Sequence, residues 1–396
     1  MNRRFMSFAA MVVLGLAATA TTVHAQATKS GTVKIGVNEA LSGTFVAVGL
    51  PPNAGVRMAA KEINDKGGFV VGDTTYKFQV IEVDNQSTTA GTVAGMTKLV
   101  EDDGVKFVFG PTLGAFAAQA ALISIPANVL HFSAGTTWQQ NGNLTDPKKP
   151  TLFGTQMSAE QATQIEAAAL KKLGLKKIAY ISADDDTTKG VFPFFQAAAK
   201  EAGLEIVLIL FPPNTADFSS VVTRAKGENV DGIFFLQPQA SGPELLRTVV
   251  NLGAGPKGFG GFNLAADVAL TKAIGKPVSI PFFTMSVFPS FQYPPSEKVK
   301  AFVEKASAFD PRILGANAGF VYYSYDYVYM LAEAMKKAGT VSDTLKISSV
   351  LTDLTYDGIA GRLCFGKPMR TAILDGSLLY VRDGVVQSEV YPSSCK

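Results

Sequence analysis

The stretch from Phe107 to Trp138 constrains the fold more than any other part of the chain. It reads as a short apolar strand (Phe107-Val108-Phe109) and a loop Gly110-Pro111-Thr112-Leu113-Gly114. An alanine-rich helix follows from about Ala115, and then a second apolar strand ending in Ser133-Ala134-Gly135-Thr136-Thr137-Trp138. Strands alternating with helices imply a parallel sheet with helices on its faces. In such sheets the ligand crevice lies outside the carboxyl ends of the strands. That rule places Gly114, Ala115, Gly135 and Thr137 along one rim. The first turn of the helix also leaves N–H groups without partners, which makes an anion seat. A crossover that binds nothing has the same outline; two adjacent polar loops on one rim favour a site.

The same alternation runs through the rest of the chain. Val33 to Val37 is a strand that empties into Asn38-Glu39-Ala40-Leu41-Ser42-Gly43-Thr44-Phe45. Val56, Ala59, Ala60 and Ile63 then repeat at helical spacing up to Gly67-Gly68. Phe78 to Val83 is a strand ending at Asp84, followed by a helix carrying Val93, Met96 and Val100. After the polar run Pro147–Pro150, Thr151–Gln156 reads as a connecting strand, and a second α/β set begins. Ser158 and Gln161 form a capping-box pattern ahead of Ile165, Ala169 and Leu173, with Gly174 as the stop. Strands are expected at Ile178–Ser182, Ile206–Phe211 and Gly232–Leu236, with Asp184, Asp185 and Asp186 in a solvated loop. Ile280–Val287 suits a strand passing between lobes. Helices follow at Ser296–Ala308 and Phe320–Ala338, the latter with a core stripe of Phe320, Tyr323, Tyr327 and Leu331. Tyr356–Val390 alternates as returning strands. The fold class is therefore α/β.

The first 25 residues read as an export signal: Arg3 and Arg4, an apolar run from Phe5 to Ala20, and small residues up to Ala25. Removing 25 from 396 leaves 371 residues, enough for two domains. It also takes two of the 36 basic residues and leaves 34 against 33 acidic, a balance that predicts neither nucleic acid nor an anionic membrane as partner. In an oxidising compartment the two cysteines, Cys364 and Cys395, are read as a disulfide, with free thiols as the alternative. A zinc site is disfavoured by the shortage of ligands, and no metal or other cofactor is expected. Catalytic machinery is also missing. His131 is the one histidine beyond the signal and sits in an apolar strand, which favours a core role. No phosphate loop is present, and no G-x-G-x-x-G opens a helix after the first strand. The expectation is a protein that is not an enzyme.

Taken together, Lys34-Ile35-Gly36 leading to Leu41-Ser42-Gly43, Glu62-Ile63-Asn64 with Gly67-Gly68, Asp84, Gly110-Pro111, Asp217-Phe218 and Tyr325-Asp326 resemble, in order and spacing, the periplasmic solute-binding proteins of the leucine/isoleucine/valine-binding type. The resemblance implies two Rossmann-like lobes with parallel sheets joined by three crossing strands, near Phe153, Phe283 and Ile359. One lobe would comprise 30–153 and 284–357, the other 154–283 and 358–396. It implies a monomer in the periplasm that closes on a small molecule and delivers it to an ABC permease and its ATPase. An extracytoplasmic receptor feeding a sensory system would need the same cleft. Carried over residue by residue, the ligand carboxylate would meet the backbone at Gly114, Ala115 and Phe116, then Gly135 and the hydroxyl of Thr137, with Trp138 and Phe45 alongside. From the second lobe would come Lys189, Gln237, Phe262 and Asn263. Phe262 or Asn263 stands where amino-acid binders carry the acidic partner of the ligand ammonium. Unless Asp267 reaches in to replace it, this departure brings small organic acids, aromatic ones included, level with amino acids as expected ligands.

Overall fold

The computed structural model describes residues 29–134, 146–213, 215–236, 242–255, 257–262, 282–286, 289–291, 293–315, 317–366, 370–382, 385–392 and 394–395. A first sheet holds β1 (Lys29–Glu39), β2 (Phe69–Val71), β3 (Thr74–Asp84), β4 (Phe107–Phe109), β5 (Leu130–Ser133) and β6 (Leu152–Gly154), in the order β2-β3-β1-β4-β5-β6. Only the β2–β3 pair is antiparallel, so five strands end on one rim. Val33, Ile35 and Val37 bury one face of β1 and Gly36 and Asn38 the other, as a central strand covered on both faces requires. The connecting helices are α1 (Val46–Asp65), α2 (Thr89–Thr97, prolonged by a π turn over Lys98–Asp102) and α3 (Gly114–Ser124). As expected, β4, α3 and β5 form a crossover between parallel neighbours, Phe107 lying opposite Leu130.

The second sheet contains β7 (Lys177–Ala183), β8 (Glu205–Phe211), β9 (Gly232–Phe235), β10 (Gly258–Phe262) and β11 (Phe282–Ser286), extended at one edge by β15 (Gly376–Arg382) and β16 (Val385–Tyr391). Its helices are α4 (Ala159–Lys172), α5 (Asp186–Ala202), α6 (Ser219–Gly227) and α7 (Gly242–Leu252). Beyond β11 the chain returns to the first sheet as α8 (Glu297–Phe309), α9 (Phe320–Ala338) and α10 (Thr344–Asp353). Helices α1 and α9 meet at Gly55, where a Cβ would run into Val321 O and Ser324 Oγ, so glycine sets their approach. A small antiparallel sheet, β12 (Thr355–Asp357), β13 (Arg362–Phe365) and β14 (Ala372–Leu374), then leads into β15. The chain thus passes between the two large sheets three times.

Three local expectations change. Residues 282–286 do not merely pass between lobes; β11 is hydrogen-bonded to β10 and β15 inside the second sheet. The connecting strand at Thr151–Gln156 is the edge strand β6, paired with β5. The acidic run at 184–186 is a solvated loop only at its start: Asp184 is exposed, Asp185 caps α5 by accepting the Thr188 N–H at 2.8 Å, and Asp186 is already the first residue of the helix. Ser158 caps α4 in the expected way, taking the Gln161 N–H at 3.1 Å, while the Gln161 amide reaches out to Leu374 O rather than back to the cap.

Two features tie the small sheet to its surroundings. A ladder of rings runs from Phe109 to Phe132 (4.8 Å between centroids), on to Phe153 (5.5 Å) and then to Phe365 of β13 (4.7 Å), with Tyr327 alongside. Cys364 and Cys395 form the expected disulfide, with 5.8 Å between Cα atoms. On the other side, buried Asp326 of α9 accepts the N–H groups of Ile359 and Ala360 at 2.9 and 3.0 Å. Burial raises its carboxyl to about 7 against the opposing pull of those N–H bonds and of Lys298. Lys298 donates to Gly358 O at 2.6 Å, so the third passage is held from both α8 and α9. Of the stripe, Tyr323, Tyr327 and Leu331 are buried in the core, as the spacing predicted, and Phe320 is half-buried against it.

Candidate ligand-binding site

The carboxyl ends of β1, β4, β5 and β6 converge on one place. Gly110 follows β4 with φ +83°, a left-handed value that favours glycine, and a Cβ there would press on the Glu39 carboxyl and on Asn38 O. The Gly110–Pro111 peptide is cis. The turn is braced from β5 on two sides: Gly110 N donates to Phe132 O at 2.8 Å, and the Ser133 hydroxyl donates to Pro111 O. His131 completes the bracing. Its Nε2–H donates to Gly110 O at 2.7 Å and its Nδ1 accepts from the Ser124 hydroxyl at 2.8 Å, a tautomer imposed by the carbonyl, which can only accept. Burial lowers its pKa to about 4, only partly opposed by the Gly110 carbonyl, so the imidazole is neutral. The expected core histidine is a satisfied one.

Above this turn sits Glu39, the last residue of β1 and only 2 % exposed. Its Oε2 accepts the Thr112 N–H at 3.1 Å and its Oε1 lies 2.7 Å from Thr112 Oγ1. Burial pushes its pKa up to about 8, against the Thr112 hydroxyl and N–H bonds and the backbone at Ala40. Glu39, Gly110 and Thr112 line a cavity with Pro52, Phe109, Phe132, Ala134, Thr155, Phe320, Tyr323, Ser324 and Tyr327. It offers about 20 Å³ to the centre of a water molecule, room for about one.

Beyond Thr112, α3 begins at Gly114 with Leu113 as N-cap and no side chain bonded to its first turn. Among the described residues nothing accepts the N–H groups of Gly114, Ala115 or Phe116. Phe45 and Phe116 meet edge to face at 6.0 Å, so two ring residues named from sequence come together at this helix start. Phe45 is 38 % exposed and Phe116 is buried. The loop that carries Phe45 is fixed by Asp84, whose Oδ1 accepts N–H groups of Leu41, Ser42 and Gln86 and whose Oδ2 accepts the Ser42 hydroxyl at 2.6 Å. Burial works to raise this carboxyl, but the Ser42 hydroxyl and the three N–H groups outweigh it and hold it below the usual range. Ser87 adds a bond from the Phe45 N–H at 2.9 Å.

Gly135, Thr137, Trp138, Gln237 and Asn263 lie outside the described residues, as does the side chain of Phe262, whose backbone ends β10. Lys189 sits in the first turn of α5, exposed, with its ammonium 3.3 Å from Asp184. Glu39 and Thr112 were missed from sequence. The available signal was an acidic residue closing an apolar strand at the rim. Among the described residues no three His, Cys, Asp or Glu side chains gather as a metal site would need. No helix among them is long and apolar enough to cross a membrane.

A family model described as periplasmic binding protein matches residues 32–385. Among curated relatives, the Leu/Ile/Val-binding protein BraC3 of Rhizobium johnstonii is 26% identical over 362 residues, covering 91% of this chain and 90% of that protein. Among solved structures, the branched-chain amino acid transporter substrate binding protein LivJ of Streptococcus pneumoniae in complex with isoleucine superposes with a TM-score of 0.69 at 23% identity, covering 92% of this chain and 100% of that one. A solute binding protein of an ABC transporter from Rhodopseudomonas palustris in complex with 3,4-dihydroxy benzoic acid gives 0.68 at 19% identity, covering 91% and 97%.

Proposed function

Because the chain belongs to the periplasmic binding protein family, we propose that it is the substrate-binding component of an ABC importer and that it captures a small carboxylate. The observation that carries this reading is the start of α3, where three N–H groups have no acceptor among the described residues, beside the Phe45–Phe116 pair on a rim shared by parallel strands. Such a helix start favours an anion by its oriented N–H groups and dipole. The rings favour an apolar or flat body behind it. The relatives divide in the same way, one solved neighbour carrying isoleucine and another a dihydroxybenzoate.

Between these classes we favour an organic acid, with aromatic acids first, over an α-amino acid. The reason is the absence of an acidic residue at positions 262 and 263, where amino-acid binders pair the ligand ammonium. A buried ammonium without a partner is costly. The reading includes export with cleavage after Ala25, delivery to a permease and ATPase, and no bond broken in the ligand. It also includes a division into two lobes. We draw the second boundary after Ser286 rather than at 284, since β11 pairs within the second sheet throughout.

Thermal unfolding of the chain from Gln26 onward, with leucine, isoleucine, benzoate, 4-hydroxybenzoate and isovalerate in turn, tests the proposal. A ligand at 100 times its dissociation constant adds about 2.7 kcal/mol of stability. Benzoate or its hydroxy derivative should give the largest shift. A largest shift from leucine would remove the preference for organic acids, and no shift from any carboxylate would remove the function.

A further inference from the structure

Among the described residues no cation answers the Glu39 carboxyl. It is 2 % exposed, and the residues lining its cavity include no lysine or arginine. The groups facing it from each neighbouring element are all uncharged partners or remote acids. Thr112 comes from the β4–α3 loop, Tyr323 and Tyr327 from α9, Pro52 from α1 and Thr155 from the end of β6. His131 of β5 reaches the far side of Gly110 and is neutral. Asp84 of β3 is occupied with Leu41, Ser42 and Gln86.

The geometry suits a protonated carboxyl. Oε2 accepts from the Thr112 N–H, and Oε1 is close enough to donate its own proton to Thr112 Oγ1, since a hydroxyl can also accept. Thr112 is two residues from Gly114, where the free N–H groups begin. A negative charge on Glu39 would therefore bear on Thr112, two residues before the seat, from a cavity walled by aromatic rings where charges are poorly screened.

We propose that the ligand carboxylate and a proton on Glu39 are bound together: the neutral carboxyl holds Thr112 and leaves the seat free of competing charge, and losing that proton weakens the ligand's hold. The inference rests on the carboxylate reading of the site. It concerns linkage alone, since Glu39 positions the loop through Thr112.

Isothermal titration with benzoate and isovalerate, whose charges stay constant from pH 6.5 to 9.5, tests it in pairs of buffers with different ionisation enthalpies. Affinity should be level near pH 6.5 and fall towards tenfold per pH unit above about 8, with uptake of up to one proton per ligand. Glu39→Gln, which keeps an acceptor for the Thr112 N–H and a donor for its hydroxyl but cannot ionise, should lose the alkaline fall and the proton uptake, its affinity staying level from pH 6.5 to 9.5. Thr112→Val, which removes a bond favouring the charged form, should move the fall to higher pH. It serves as the second variant if Glu39→Gln does not fold. A pH-independent wild type, or an alkaline fall that persists in Glu39→Gln, overturns the inference and leaves the carboxylate reading standing. Proton release with affinity rising toward alkaline pH overturns it as well. Failure of both acids to bind at any pH overturns the reading beneath it, and the inference falls with it.

Discussion

Acidification offers a clean test of how the Gly110 turn is held, because His131 is the one histidine from Gln26 onward. In the folded protein its pKa is lowered to about 4 by burial, against an ordinary value of 6.5. The unfolded chain therefore takes up the proton first as pH falls. Stability from this group is fully present above pH 6.5, is lost as pH drops through the interval to 4, and levels off below it. The loss works out at about 2 kcal/mol at pH 5 and about 3 kcal/mol below pH 4. Urea unfolding from pH 7.5 to 4 would follow it, with His131→Gln as the reference that keeps a donor but does not titrate. The difference between the two pH profiles isolates the histidine from the carboxylates. Proton NMR of the single imidazole reads the folded value directly. An imidazole titrating near 6.5 in the native protein, or parallel profiles for wild type and His131→Gln, would show that His131 is not sealed between Ser124 and Gly110.

Asp326→Ala leaves the N–H groups of Ile359 and Ala360 without their acceptor, which should cost about 2 kcal/mol, read as a lower urea midpoint. Amide exchange at those two positions should speed up in the variant; unchanged exchange would refute the clamp. Replacing Cys364 and Cys395 by serine opens a loop of sequence separation 31 and should lower stability by about 3 to 4 kcal/mol in the chain-entropy model. A loss under about 1 kcal/mol, measured by the same unfolding assay, would contradict that assignment of the bond's effect.

Much of the first sheet was legible because its signals are local. Alternating or continuous apolar runs gave β1, β3, β4 and β5, and the spacing of Val56, Ala59, Ala60 and Ile63 gave α1. Helix ends marked by Ser158 and Gly174 were also readable, since a cap is settled within four residues. The partnership of β11 with β15 was not, because it joins residues almost a hundred positions apart and no short-range pattern encodes it. The same limit hid the site's main carboxyl. Glu39 looks like an ordinary polar end to a strand until Thr112, 73 residues on, is brought against it. Its charge state follows from burial, which sequence spacing does not supply. The motif residues Glu62 and Tyr325 were read as family marks, and the fold shows what they do structurally. The Tyr325 hydroxyl donates to Glu62 at 2.9 Å, joining α9 to α1.

The ring ladder from Phe109 to Phe365 bears on any attempt at redesign. Phe109 and Phe132 are at once walls of the water-sized cavity and rungs leading to the last inter-sheet passage. Trimming Phe132 to widen the cavity removes a ring stacked on Phe153 and Tyr327, both of which pack on Phe365 of β13, so the change reaches the third passage as well. Phe45, exposed and off the ladder, can be changed without touching that joint.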